Sequence, residues 1–173
     1  MNITELEDCI MCHGTDIYHF CLQLTKNKEE AEDLYQDTFL MVMKKLTSLE
    51  KEQNPKSYLL SICINLWKNK KRKYAWRQRI AGVEPLSEGK DYHQITIHPE
   101  DEILQKEQKE MVQHAIKKLN DKYRIPVYLY YMEELQLEEI AKILNIPKGT
   151  VKSRLFKARK LLKERLENNY EAE

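Results

Sequence analysis

Cations spaced along one short stretch are the side chains best suited to act on another molecule. From Lys148 to Arg165 the chain carries eight bases and one acid. Val151, Leu155, Ala158 and Leu162 recur there at helical spacing and form one apolar stripe. Lys148, Lys152, Arg154, Lys157, Arg159, Lys160 and Lys163 fall largely off that stripe. A helix with a buried stripe and a cationic remainder suits the major groove. Ammonium groups meet phosphates there, and a guanidinium can fork onto a guanine edge. A solvated amphipathic helix has the same composition, so the element before it decides. Leu137, Ile140, Ala141 and Leu144 predict a short helix, which Asn145-Ile146-Pro147 then breaks. Asn tolerates the left-handed backbone of a tight inter-helix turn, and Pro147 is placed to open the next helix. Leu135 to Arg165 therefore reads as a helix-turn-helix.

A second cationic run, Lys68 to Arg79, has seven bases and no acid. Trp67, Tyr74 and Trp76 are interleaved with Lys68, Lys70, Lys71, Arg72, Lys73 and Arg77. Cations that hold phosphates beside rings that stack on unpaired bases suit a single strand or a melted duplex. Each ring alone reads equally as core, Trp67 above all, since Trp at helical spacing is usually buried. Glu29 to Asp37 is the opposite, with five acids and no base. The net charge of +1 averages over these blocks, and their segregation predicts two polyanion contacts and a third surface for a different partner.

The remaining candidate chemistry is Cys9-Ile10-Met11-Cys12-His13. The spacing matches covalent haem attachment, which requires export, and no signal peptide directs it. A zinc site from Cys9, Cys12 and His13, with His19 or Cys21, is the alternative, and small core positions at Ile10, Cys21 and Cys63 are a third reading. No phosphate-cradling glycine loop, no nucleophile beside a positioned His and no paired acids in an apolar setting occur, so no catalysis, cofactor or resident metal is expected.

These groups need elements to hold them. In 173 residues Gly and Pro are scarce, and Leu, Lys, Glu and Ile dominate, which predicts an all-α protein of two small helical domains. Residues 1–80 read as helical, 81–105 as a polar linker interrupted by Gly82, Pro85, Gly89 and Pro99, 106–168 as helical again, and 169–173 as a tail. Helices are expected to about Lys26, from about Glu29 to Leu46, and from Asn54-Pro55 onward. The second has the stripe Ala31, Leu34, Tyr35, Thr38, Val42 and Leu46; the third has Tyr58, Leu59, Ile62, Cys63 and Leu66. Asp33, Gln36, Asp37 and Leu40 fall together on a separate face, acidic at one end and apolar at the other, which suits a protein contact and, almost equally, extra core burial. No run is long and apolar enough to span a bilayer, and a soluble, cytoplasmic protein with reduced cysteines is expected.

Three segments together resemble one family, the extracytoplasmic-function sigma factors of bacterial RNA polymerase. Ala31-Glu32-Asp33-Leu34-Tyr35-Gln36-Asp37-Thr38-Phe39 is similar to the start of the family's region two. Pro55 to Leu66 is similar to its following helix, and Leu119 to Arg124 with Leu135 to Arg159 to its region four. Ile146-Pro147-Lys148-Gly149-Thr150-Val151-Lys152-Ser153-Arg154-Leu155 carries the likeness most closely. Tyr58 and Ser61 stand where Trp and Arg are usual, Cys63 where Ala is common, and Asn145 where Gly is commoner.

The resemblance implies roles. Asp33, Gln36, Asp37 and Leu40 match the face that docks on the clamp helices of the polymerase largest subunit. Asn65 with Leu66 to Lys70 matches a loop that captures a flipped base of the minus-ten element. Lys71 to Arg79 matches the adjoining helix on the DNA backbone. Lys148, Thr150, Lys152, Ser153, Arg154, Lys157 and Arg159 match the helix that reads the minus-thirty-five element. Implied partners are polymerase core, including the flap of the second-largest subunit, promoter DNA, and an anti-sigma factor, often membrane-anchored in the family. The rival reading is a stand-alone helix-turn-helix regulator. It accounts for residues 119–168 and leaves the Asp33 face and the Lys68–Arg79 patch idle.

Overall fold

The computed structural model describes residues 3–45, 54–81 and 103–170. Most of the expected linker (82–102), the stripe residue Leu46 and residues 171–173 of the tail lie outside them. The described residues are helical, without strands. The chain divides into two compact units, Met1–Tyr92 and His93–Glu173.

The first unit packs three helices on one another: α1 (Ile3–Thr25), α2 (Lys28–Lys45) and α3 (Pro55–Ala81). The first break comes at Lys26-Asn27, with Lys26 at φ 59°. Asn27 Oδ1 accepts the Glu30 amide at 3.1 Å and caps α2. Glu29 and Glu30 then sit in its first turn, where the helix dipole favours anions. Ala31, Leu34, Thr38 and Val42 are buried as the stripe predicts, and the Thr38 hydroxyl donates to the Leu34 carbonyl at 2.7 Å. Phe39 is buried as well, edge-on to Tyr35, whose ring also meets Tyr18. Gly14 lets α1 approach α2 closely, because a β-carbon there would stand 3.0 Å from the Tyr35 hydroxyl.

Asn54 caps α3 through Oδ1, which accepts the Ser57 amide at 3.2 Å. The first half of α3 is wedged between its neighbours, burying Leu59, Leu60, Ile62, Cys63, Ile64 and Trp67. Lys56 on α3 pairs with Asp16 on α1 at 2.8 Å, and that hydrogen bond holds the Asp16 carboxyl below the usual range.

The second unit comprises α4 (Ile103–Lys117), α5 (Asp121–Tyr131), α6 (Leu137–Leu144) and α7 (Lys148–Tyr170). α4 begins ahead of the expected start at 106, and α7 runs past 168. α7 is the hub, packed on the other three. Asn120 Oδ1 accepts the Lys122 amide and caps α5. Within α5, Arg124 is fully buried, donates to Asp121 at 2.7 Å and lies over the Tyr128 ring. α6 ends as the sequence predicts. Asn145 is left-handed at φ 53°, and the Asn145 and Ile146 amides return to Lys142 and Ala141, a Schellman ending with Asn in the usual glycine place. The Pro147 carbonyl then takes the first bonds of α7, from Thr150 and Val151. Pro147 thus precedes the helix rather than forming its first residue.

Candidate nucleic-acid and partner-docking surfaces

α2 presents the first surface. With Ala31, Leu34, Thr38 and Val42 turned inward, Asp33, Gln36 and Leu40 are exposed and Asp37 half-buried. Leu40 remains 49% exposed, and Met43 one turn on is 47% exposed. Met43 extends the apolar end beyond the four residues the sequence singles out; its spacing from Leu40 is the signal. Two exposed apolar side chains beside carboxylates are of the kind that suits a protein contact.

α3 carries the second surface, and two expectations change there. Residues 65–70 are not a loop but continuous turns of α3. Trp67 is only 7% exposed, buried with Leu60, Cys63 and Ile64 in the core of its unit, so it has no face for a base. Its ring carries the Lys71 ammonium at 4.8 Å instead. The rings that are open are Tyr74, at 50%, and Trp76, at 65%. Asn65, Lys68, Lys70, Lys71, Arg72, Lys73 and Arg77 are all exposed. From Lys68 to Ile80 only Gln78 is even partly buried. Arg72 donates to Asn69 Oδ1 at 2.6 Å. The first two surfaces touch: Lys70 Nζ lies 2.8 Å from Asp37 Oδ2.

α7 carries the third. Val151, Leu155 and Ala158 are buried and Leu162 partly so, which turns Lys148, Lys152, Ser153, Lys157, Arg159 and Lys160 outward. Thr150 and Arg154 are half-buried on the flank of the helix. Lys148 is ion-paired with Glu138 of α6 across the turn, and its ammonium holds that carboxyl below the usual range. Phe156, 69% exposed among these cations, was not among the expected site residues. The signal was its position off the 151–155–158–162 stripe. An exposed ring there offers apolar contact to a thymine methyl.

The cysteines do not assemble as the zinc reading requires. Cys9 is buried and Cys12 exposed, while Cys21 faces Cys63 across the core. Burial, then the neighbouring Cys12, pushes the Cys9 thiol up. Among the described residues no group of three or more His, Cys, Asp or Glu is arranged to hold a metal ion. No described helix is long and apolar enough to cross a membrane.

Comparison with known proteins follows this division. Residues 9–77 match the family model of sigma-70 region 2, and residues 109–162 that of sigma-70 region 4. The chain is 35% identical over 166 residues to the ECF RNA polymerase sigma factor SigW of Bacillus subtilis, covering 92% of this chain and 87% of SigW. It is 31% identical over 163 residues to SigM of the same organism, covering 94% of each. Among solved structures, the sigma factor RpoE in complex with the anti-sigma factor NepR from Bartonella quintana superposes with a TM-score of 0.75 at 27% identity, over 95% of this chain and 98% of that one.

Proposed function

The chain belongs to the sigma-70 family, in its extracytoplasmic-function branch, and from that premise we propose how its surfaces divide the work. The protein binds RNA polymerase core, directs it to particular promoters and is held in check by an anti-sigma factor. The helices up to Ala81 act as the region-two unit and those from Ile103 to Tyr170 as the region-four unit, with the stretch between them as the tether. The tether lets both units engage one promoter and raises the effective concentration of the second contact.

Asp33, Gln36, Asp37 and Leu40, extended by Met43, dock on the clamp helices of the largest subunit. Region four meets the flap of the second-largest. Asn65, Lys68, Lys70, Lys71, Arg72, Lys73 and Arg77 hold the minus-ten strand, with Tyr74 and Trp76 in place of Trp67 as stacking planes. Lys148, Thr150, Lys152, Ser153, Arg154, Lys157, Arg159 and Phe156 address the minus-thirty-five duplex. Arg154, a fork on the flank of α7, is suited to a guanine edge, worth about 1–3 kcal/mol of discrimination. Because Asp37 and Lys70 share an ion pair, docking at one surface releases a charge at the other.

The protein performs no chemistry of its own; bond formation belongs to the polymerase. The observation that carries this reading is the match of both halves to one family, each half with an exposed cationic helix. Run-off transcription on a promoter library, with purified core and this chain, tests it. Promoter-dependent transcripts are expected, and their absence with active core would refute the reading.

A further inference from the structure

Cys21 and Cys63 take no part in any of these surfaces. They lie 42 residues apart in sequence, yet their sulfurs are 3.4 Å apart across the α1–α3 contact. Both are fully buried. A disulfide needs its sulfurs at about 2.05 Å, so side-chain rotation or a shift of little more than an ångström closes the bond. The sequence separation matters too, because a cross-link over a long stretch removes the most freedom from the unfolded chain.

We infer that Cys21 and Cys63 are an oxidative cross-linking site, converted by hydroperoxides into a disulfide that pins α1 to α3. One sulfur, as thiolate, attacks a peroxide oxygen; the O–O bond breaks and a sulfenic acid forms as an alcohol or water leaves. The second sulfur then displaces hydroxide from the sulfenic acid, the S–S bond forms and water departs. Two thiols lose two electrons and two protons, and the peroxide gains them. The sulfenic acid has its resolving thiol beside it, so cross-linking outruns further oxidation.

The pair is a slow site. The sulfur–sulfur hydrogen bond and then burial push the Cys21 thiol far up, while the Lys70 ammonium pulls the other way. Hydrogen peroxide, little larger than water, reaches the sulfurs through the local openings that exchange buried amides. Exposed Cys12, which neighbours Cys9 on α1, is the competing thiol and is more open to oxidant.

The test uses the full chain carrying Cys12→Ser, so that molecules do not cross-link through the outer thiol. After hydrogen peroxide, the protein is denatured, alkylated and digested without reductant. The expected result is a mass loss of two hydrogens, a linked peptide joining Cys21 to Cys63, and an unfolding midpoint raised by about 5 °C or more, reversed by a dithiol reductant. Adding Cys63→Ser, or Cys63→Ala should the serine prevent folding, abolishes both mass loss and shift. Full alkylation of Cys21 and Cys63 after denaturation would overturn the inference. So would sulfinic acid at either residue without a cross-link, or a disulfide through Cys9.

Discussion

The two cationic helices, α3 from Lys68 to Ile80 and α7 from Lys148 onward, share a composition and differ in support. α7 keeps one buried stripe, Val151, Leu155 and Ala158, beneath its cations, and three helices pack on it. α3 loses its stripe after Trp67, and beyond that point cations and rings point outward all round. An isolated helical stretch of that length is marginal in water, and neighbouring like charges weaken it further. The contrast suits the two tasks proposed for these helices. A groove of duplex DNA is a rigid template and rewards a rigid reader, whereas a melted strand rewards a cationic, ring-bearing surface that adjusts to it.

The largest effects are expected when a side chain is removed on either side of the buried edge of each helix. Trp67→Ala should cost about 3–5 kcal/mol of stability in the first unit, while Trp76→Ala, nine residues on, should stay within about 0.5 kcal/mol. Chemical denaturation of each variant measures this, and equal costs would erase the proposed edge at Trp67. In α7, Leu155→Ala should cost about 2–5 kcal/mol, whereas Phe156→Ala should leave stability nearly unchanged. Amide exchange extends the same contrast to the backbone, with Ala75–Arg79 expected to exchange about 100-fold faster than Val151–Leu155.

Much of this was legible in sequence. The caps at Asn54 and Asn120 and the left-handed turn at Asn145 rest on side-chain chemistry that acts within a few residues, and the first and last of these were foreseen. The stripes of α2 and α7 were foreseen because each buries one face. The stripe of α3 was only half foreseen. Leu60, Ile64 and Trp67 are buried alongside Leu59, Ile62 and Cys63 because α1 and α2 enclose α3 from two sides, and a single-face pattern captures one of them. Trp67 therefore reads in sequence as either core or a DNA contact, because its burial depends on helices far away in sequence. The pairing of Cys21 with Cys63 had no local signal at all.

Electrostatic changes on the two helices should have smaller effects. Each neutralised cation on α7 should flatten the log–log salt dependence of duplex binding by about 0.9, and each one on α3 that of single-strand binding by about 0.7. Titrations at several salt concentrations with Lys157→Gln and Lys73→Gln read this out. Smallest is the Asp37–Lys70 pair. Being half-exposed and screened, it should couple by about 0.2–1 kcal/mol in a double-mutant cycle on stability. The Asp16–Lys56 pair has a defined pH sign. The Asp16 pKa is lowered in the folded chain, so its contribution is present above the ordinary carboxylate range and is lost as pH falls through the lowered value.

The most direct test is a double dissociation in the assembled polymerase holoenzyme, using two probes: a single strand bearing the minus-ten element and a duplex bearing the minus-thirty-five element. Trp76→Ala should weaken single-strand binding about 5- to 150-fold, the equivalent of about 1–3 kcal/mol, and leave duplex binding unchanged. Arg154→Ala should do the reverse by a similar factor. If both variants weaken both probes alike, the division of labour between α3 and α7 is wrong.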